Sequence, residues 1–106
     1  MLIERRETNG NGMFYVEYEG EEHAWMSYQM KTPGNMVIKH TEVDDELRGQ
    51  NVGYKLVETA VEYARQHKIK ITVWCPFAKS VFDKKPEWHD VLESRIMVDL
   101  RCLVLV

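Results

Sequence analysis

The sequence predicts an α+β domain built on a largely antiparallel sheet, and three observations point to it. Turn signals at Asn9-Gly10-Asn11-Gly12, Glu19-Gly20-Glu21 and Pro33-Gly34 cut residues 2–43 into short runs with strand-like alternation. After Leu47 the hydrophobic period lengthens from two residues to the helical value. A further alternating run at 69–75 then follows the helical stretch, so its strand can lie parallel to the one before the helix through a right-handed crossover.

A short strand at 2–6 opens the chain. The Asn-Gly hairpin signal follows, because Asn and Gly tolerate the positive φ that tight hairpin turns demand. In the second run Phe14, Val16 and Tyr18 alternate with Met13, Tyr15 and Glu17. In the third, 23–30, Ala24, Met26, Tyr28 and Met30 share one face. A fourth strand is expected at 35–43. Val52, Leu56, Val57, Ala60, Val61 and Ala64 then mark the apolar face of an amphipathic helix. Arg65, His67 and Lys68 stand near its C-terminus, where positive charge complements the helix dipole. Ile69, Ile71, Val73 and Cys75 alternate as a buried strand ended by Pro76. Residues 77–84 read as a short helix stopped by Pro86, and 88–92 as a final helical turn.

Bulk properties narrow the function. A chain of 106 residues holds one core. Its net charge of -3 and scattered basic residues argue against a nucleic-acid binder, and Trp25, Trp74 and Trp88 form no stacking ladder. These tryptophans are expected in the core or as pocket walls. Cys75 and Cys102 form no CxxC pair, and no His or Cys cluster has metal-ligand spacing, so no metal is expected. A Cys75–Cys102 disulfide stays open. Residues 1–10 lack the apolar run of a signal peptide, and no run approaches the length of a membrane span. A cytoplasmic protein without membrane contact is expected.

The stretch that carries chemistry runs from His40 through Tyr54: strand, acidic loop, glycine-bearing turn, helix start. The first N–H groups of a helix lack internal partners and favour an anion. Gly49 and Gly53 allow close backbone approach, and Arg48 adds a positive charge. A phosphate site is one reading of this segment, and a helix start that happens to contain two glycines is the other. Neither GxxxxGK[ST] nor GxGxxG is present.

The segment from Leu47 to Gly53 resembles the acyl-CoA signature Q/R-x-x-G-x-G/A of the GNAT superfamily, with Arg48 and Gly53 at its first and last positions. His40-Thr41-Glu42-Val43, then Arg48-Gly49-Gln50-Asn51-Val52-Gly53, then Cys75-Pro76-Phe77 together resemble the HTEV, RGQGxG and CPF blocks of a family of very small GNAT-like proteins. Pro86-Glu87-Trp88 also matches that family. The similarity spans 1–93, read as the domain, and leaves 94–106 as an unassigned apolar tail.

The resemblance implies acetyl-CoA lying in a V-shaped opening between the strands that end near Val43 and Cys75. It implies pyrophosphate binding by Arg48, Gly49, Gln50, Asn51, Val52 and Gly53, beside Tyr54. Backbone groups near Val43 would bond the pantetheine arm, and Cys75, Pro76 and Phe77 would line the thioester end. Where the family has glycine this chain has Asn51, whose side chain either crowds the pyrophosphate or holds an unusual backbone conformation.

Cys75 is a candidate nucleophile if a base such as His40 activates it; otherwise it is a small buried residue beside Ile71 and Val73. His40 is a candidate general base or a structural histidine, and Glu42 is a second candidate base. The run Asp44-Asp45-Glu46 reads as a solvated loop or as an attractor of a cationic amine. The tail at 96–106 is apolar apart from Asp99 and Arg101; a further strand, within the sheet or across a dimer, is one reading of it, and it stays unassigned. The expected activity is N-acetyl transfer from acetyl-CoA to an amine, by a monomer or weak homodimer. The alternatives are a CoA-binding module with little or no transferase activity, and a structural protein whose site has decayed at Asn51.

Overall fold

The computed structural model describes residues 2–47 and 50–92, without the side chains of Tyr18 and Glu46. The expectations for Arg48, Gly49, Cys102 and the tail at 94–106 fall outside the described residues. Five strands form one sheet in the order β1-β2-β3-β4-β5: β1 Glu4–Thr8, β2 Asn11–Tyr18, β3 Glu21–Thr32, β4 Asn35–Val43 and β5 Lys70–Val73. β1 to β4 are antiparallel, and β5 runs parallel to β4. Between them lies the 16-residue helix α1, Val52–His67, and after β5 comes α2, Pro76–Asp83. Short 3-10 turns occupy Asp45–Leu47 and Pro86–Val91. This is the α+β architecture that the change of period implied.

The hairpins are built as the turn residues demand. Asn9 and Gly10 both have positive φ (54° and 83°), as do Glu19 and Gly20 (54° and 79°), the backbone that lets two residues reverse a twisted strand pair. The first strand begins at Glu4 rather than Leu2, because its pairing with β2 runs from Glu4 opposite Tyr15 to Thr8 opposite Asn11.

Helix α1 lays Leu56, Val57, Ala60, Val61 and Ala64 on the sheet, each with no exposed surface. Opposite them stand Phe14, Val16, Ala24, Met26, Tyr28, Met36, Ile38 and Ile71. Burying one such Leu contributes about 1.5–3 kcal/mol, so this face rather than helix propensity holds α1 in place. The helix stops at Lys68, which takes φ 58°. The Ile69 N–H then reaches back to the Ala64 carbonyl at 2.8 Å, and the Lys68 N–H faces that of Arg65 at 3.4 Å. This is a Schellman closure with lysine in the position glycine usually takes.

Two expectations change at β5. The strand is only four residues long, and Pro76 does more than end it. Proline opens α2 as its first residue, where its missing N–H costs nothing and its fixed φ already suits a helix. Trp74 is no core or pocket residue: it is 59% exposed, beneath the Lys31 ammonium at 5.5 Å.

Candidate functional site

The site arises where β4 and β5 part. Parallel pairing runs from Asn35 opposite Lys70 to Ile38 opposite Val73, and the Trp74 N–H makes a last bond to the Ile38 carbonyl at 2.9 Å. β4 continues to Val43, whereas β5 gives way to α2. From Lys39 onward one edge of β4 therefore has no strand beside it among the described residues.

A bulge lies at the same point. On β3, Ser27 faces His40 and Tyr28 faces Ile38, so Lys39 is an extra residue in β4. One inserted residue reverses the alternation of everything after it. Met36 and Ile38 point into the core, and beyond the bulge Thr41 and Val43 take the core side. His40 and Glu42 fall on the opposite side, where the His40 imidazole and the Glu42 carboxylate lie 2.7 Å apart. Thr41 meets the buried Cys75, whose Sγ is 3.4 Å from the Thr41 hydroxyl. The structure thus does not bring His40 and Cys75 together: successive strand residues face opposite ways, and Thr41 is the one turned toward the thiol. The neighbour found for the thiol is a neutral hydroxyl.

The exit from β4 is tied down by His23. Its Nδ1 lies 2.9 Å from the Asp44 carboxylate, and its carbonyl accepts the Asp44 N–H at 2.8 Å. The Asp44 carbonyl in turn accepts the Leu47 N–H, and the Leu47 carbonyl that of Gln50. These bonds aim the chain at α1. Asn51 immediately precedes the helix in a left-handed conformation, φ 60° and ψ 29°, and its side chain makes no capping bond. Of the two readings of Asn51, the structure shows the one in which asparagine holds the unusual backbone. Asn51 also borders the opening.

A cleft of about 540 Å³ fills the space between these elements. Val43 and the exposed edge of β4 form one wall. Asn51, Val52, Gly53 and Tyr54 form the other, and Phe77 of α2 closes one end. These six are among the residues that the resemblance assigns to acetyl-CoA. Thr41, Glu42 and Leu47 line the cleft as well, and of these only Glu42 had been weighed, as a base. Gln50 and Pro76 are exposed but stand outside the lining, and Cys75 lies beneath the wall, behind Thr41.

Electrostatically, the α1 wall suits an anion. The first N–H groups of a long helix converge there, and no acidic residue occupies its first turn to compete. Glu42 borders the cleft through its place in β4, while its carboxylate lies beside His40 on the other face of the strand. Among the described residues no cluster of His, Cys, Asp and Glu has the makings of a metal site. No helix among them is long and apolar enough to cross a membrane.

Solved structures with this arrangement define the class. A GCN5-like protein from Staphylococcus aureus, determined by NMR, superposes with a TM-score of 0.65 at 36% identity, over 84% of this chain and 86% of that one. Two more distant structures share the fold. A ribosomal-protein-alanine N-acetyltransferase from Brucella melitensis matches with a TM-score of 0.61 at 10% identity, over 74% of this chain and 62% of its own. An IAA acetyltransferase from Bacillus cereus matches with a TM-score of 0.55 at 20% identity, over 71% and 53%. No curated protein matches the chain. The GCN5-related N-acetyl-transferase family model matches residues 13–91, and the chain belongs to that family.

Proposed function

We propose that the protein is an N-acetyltransferase that takes its acetyl group from acetyl-CoA held in the cleft between β4 and α1. The observation that carries this reading is the coincidence of the strand splay, the bulge and the α1 N-terminus around one opening. The residues present fit acetyl-CoA. The N–H groups at Val52, Gly53 and Tyr54 can receive the pyrophosphate, with Arg48 and Gly49 shortly before them in the sequence. The free edge of β4 near Val43 can bond the pantetheine amides, as one strand bonds another. Phe77 then bounds the thioester end.

In the transfer, the lone pair of a primary amine attacks the thioester carbonyl carbon, and the carbon–sulfur bond breaks. The amine approaches through the splay from the outer face of β4, where the Glu42 carboxylate takes a proton from its nitrogen. The His40 imidazole at 2.7 Å orients that carboxylate and relays the proton outward. Coenzyme A leaves as its thiol after taking up one proton, and the product is an N-acetylated amine. Holding both reactants in one cleft supplies much of the acceleration by orientation alone. Cys75 shapes the floor beneath Thr41 and forms no acetylated intermediate, since His40 stands on the far side of β4.

Release of free thiol from acetyl-CoA, measured across a panel of small amines, peptide N-termini and lysine peptides, tests the proposal. At least one class is expected to give turnover, and Glu42→Gln to lower kcat on the order of 100-fold with unchanged acetyl-CoA affinity. Acetyl-CoA binding with no turnover on any class would overturn the transferase and leave a CoA-binding module.

A further inference from the structure

Gly53 has no conformational reason to be glycine. It lies inside α1 and is absent from the positive-φ residues, so its backbone is one that alanine adopts readily. In a helix, glycine costs about 1 kcal/mol relative to alanine. Some feature of the surroundings therefore excludes a side chain.

The excluding feature is the ring of Phe77. A methyl group built at Gly53 would run into the ring of Phe77, with Cζ and Cε2 the nearest atoms. The space that a side chain at Gly53 would use is taken by an aromatic ring. Phe77 is in other respects a poor candidate for packing, since it remains 40% exposed. It follows Pro76, whose ring fixes the first turn of α2, and Cys75, whose thiol touches Thr41 of β4. A continuous line of contact thus crosses the cleft floor, from Thr41 through Cys75 and Phe77 to Gly53.

We propose that Phe77 is a positioning residue for acetyl-CoA: its ring, seated on Gly53, locks the start of α2 against the start of α1 and fixes the width of the cleft where the two helices meet. Gly53 is then required by the ring and not by the pyrophosphate. The proposal rests on the acetyl-CoA reading of the cleft, but its packing half can be tested without it.

The experiment is a two-residue cycle: wild type, Gly53→Ala, Phe77→Ala and the double variant, each titrated with acetyl-CoA by calorimetry and melted without ligand. Gly53→Ala alone should weaken acetyl-CoA binding about tenfold or more and lower the melting temperature, because the displaced ring enters the cleft. Phe77→Ala alone should weaken binding severalfold. Adding Gly53→Ala to Phe77→Ala should cost no further affinity and should raise the melting temperature, since helical alanine then meets empty space. Equal losses from Gly53→Ala in both backgrounds would overturn the proposal, assigning Gly53 to the ligand. If wild type binds no acetyl-CoA, the functional reading fails and the melting arm decides the packing. A sign reversal between backgrounds supports the contact, and equal signs overturn it. Should Gly53→Ala fail to fold, recovery of folding in the double variant supports the contact, and failure of both overturns it.

Discussion

Asn51 offers the sharpest test of how the cleft is built, because one backbone angle there sets the direction of α1. The residue sits at φ 60° and ψ 29°, its side chain makes no capping bond, and its carbonyl accepts the Lys55 N–H at 3.0 Å. The left-handed region costs an ordinary L-residue about 1–2 kcal/mol, with asparagine at the cheaper end. Asn51→Ala should therefore lose about 1 kcal/mol, which for a domain of this size lowers the melting temperature by roughly 4–8 °C. Asn51→Val, branched at Cβ, should lose more. Asn51→Gly removes the strain but adds about 0.5–1 kcal/mol of unfolded-state entropy, so the net change should lie close to zero. It also removes the side chain at the cleft wall, so acetyl-CoA should bind at least as tightly as to wild type. Thermal unfolding of the four proteins, followed by circular dichroism, should rank Gly and Asn together, then Ala, then Val. An alanine variant as stable as wild type would refute the left-handed turn, and with it the aim of the α1 N-terminus into the cleft.

Other perturbations test the frame around the site. The Tyr28 hydroxyl accepts from Arg5 and donates to Glu7, both at 2.8 Å, and burial chiefly pushes its phenol up from 10.0 to about 12, Glu7 adding and Arg5 opposing. A proton held more tightly when folded stabilises fully below pH 10, and that contribution drains away as pH rises toward 12. By linkage the loss at pH 11 is at most about 1.4 kcal/mol. Tyr28→Phe should be less stable by about 1 kcal/mol at pH 8 and should close on wild type by pH 11 in urea titrations. A gap that stays constant would sink the assignment. Lys68→Gly, at φ 58°, should raise stability by about 0.5–1 kcal/mol, read as a higher urea midpoint at unchanged slope. Cys75→Ala should keep kcat within about tenfold of wild type, as expected when no covalent step is lost. Mass spectrometry of wild type mixed with acetyl-CoA should find no acetylated Cys75; a trapped acetyl group there, with an inactive Ala variant, would make the thiol a nucleophile.

Much of the frame was legible because local chemistry dictated it. Asn9-Gly10 and Pro33-Gly34 mark reversals that the backbone must make at those places, and the spacing of Leu56, Val57, Ala60, Val61 and Ala64 leaves one face for the sheet. The six cleft residues anticipated from the resemblance fell where one opening could gather them. What stayed hidden depends on register or on distant contact. The bulge at Lys39 sends His40 away from Cys75, and its only trace is a change in core spacing, from Met36 and Ile38 by two to Thr41 by three. Trp74 shares the phase of Lys70 and Thr72 in β5, opposite Ile69, Ile71, Val73 and Cys75, so its exposure follows the alternation and only its aromatic character suggested a core. The Phe77 ring on Gly53 joins residues that no local pattern connects.

The most direct test of the central claim is an NMR titration of isotope-labelled protein with acetyl-CoA, followed residue by residue. Saturable shifts are expected to concentrate at Thr41 to Val43, Asn51 to Tyr54 and Phe77, with β1 and the far hairpins silent, at micromolar to low millimolar ligand. Absence of localised shifts at millimolar acetyl-CoA would contradict the claim, leaving a GNAT fold without its acetyl donor.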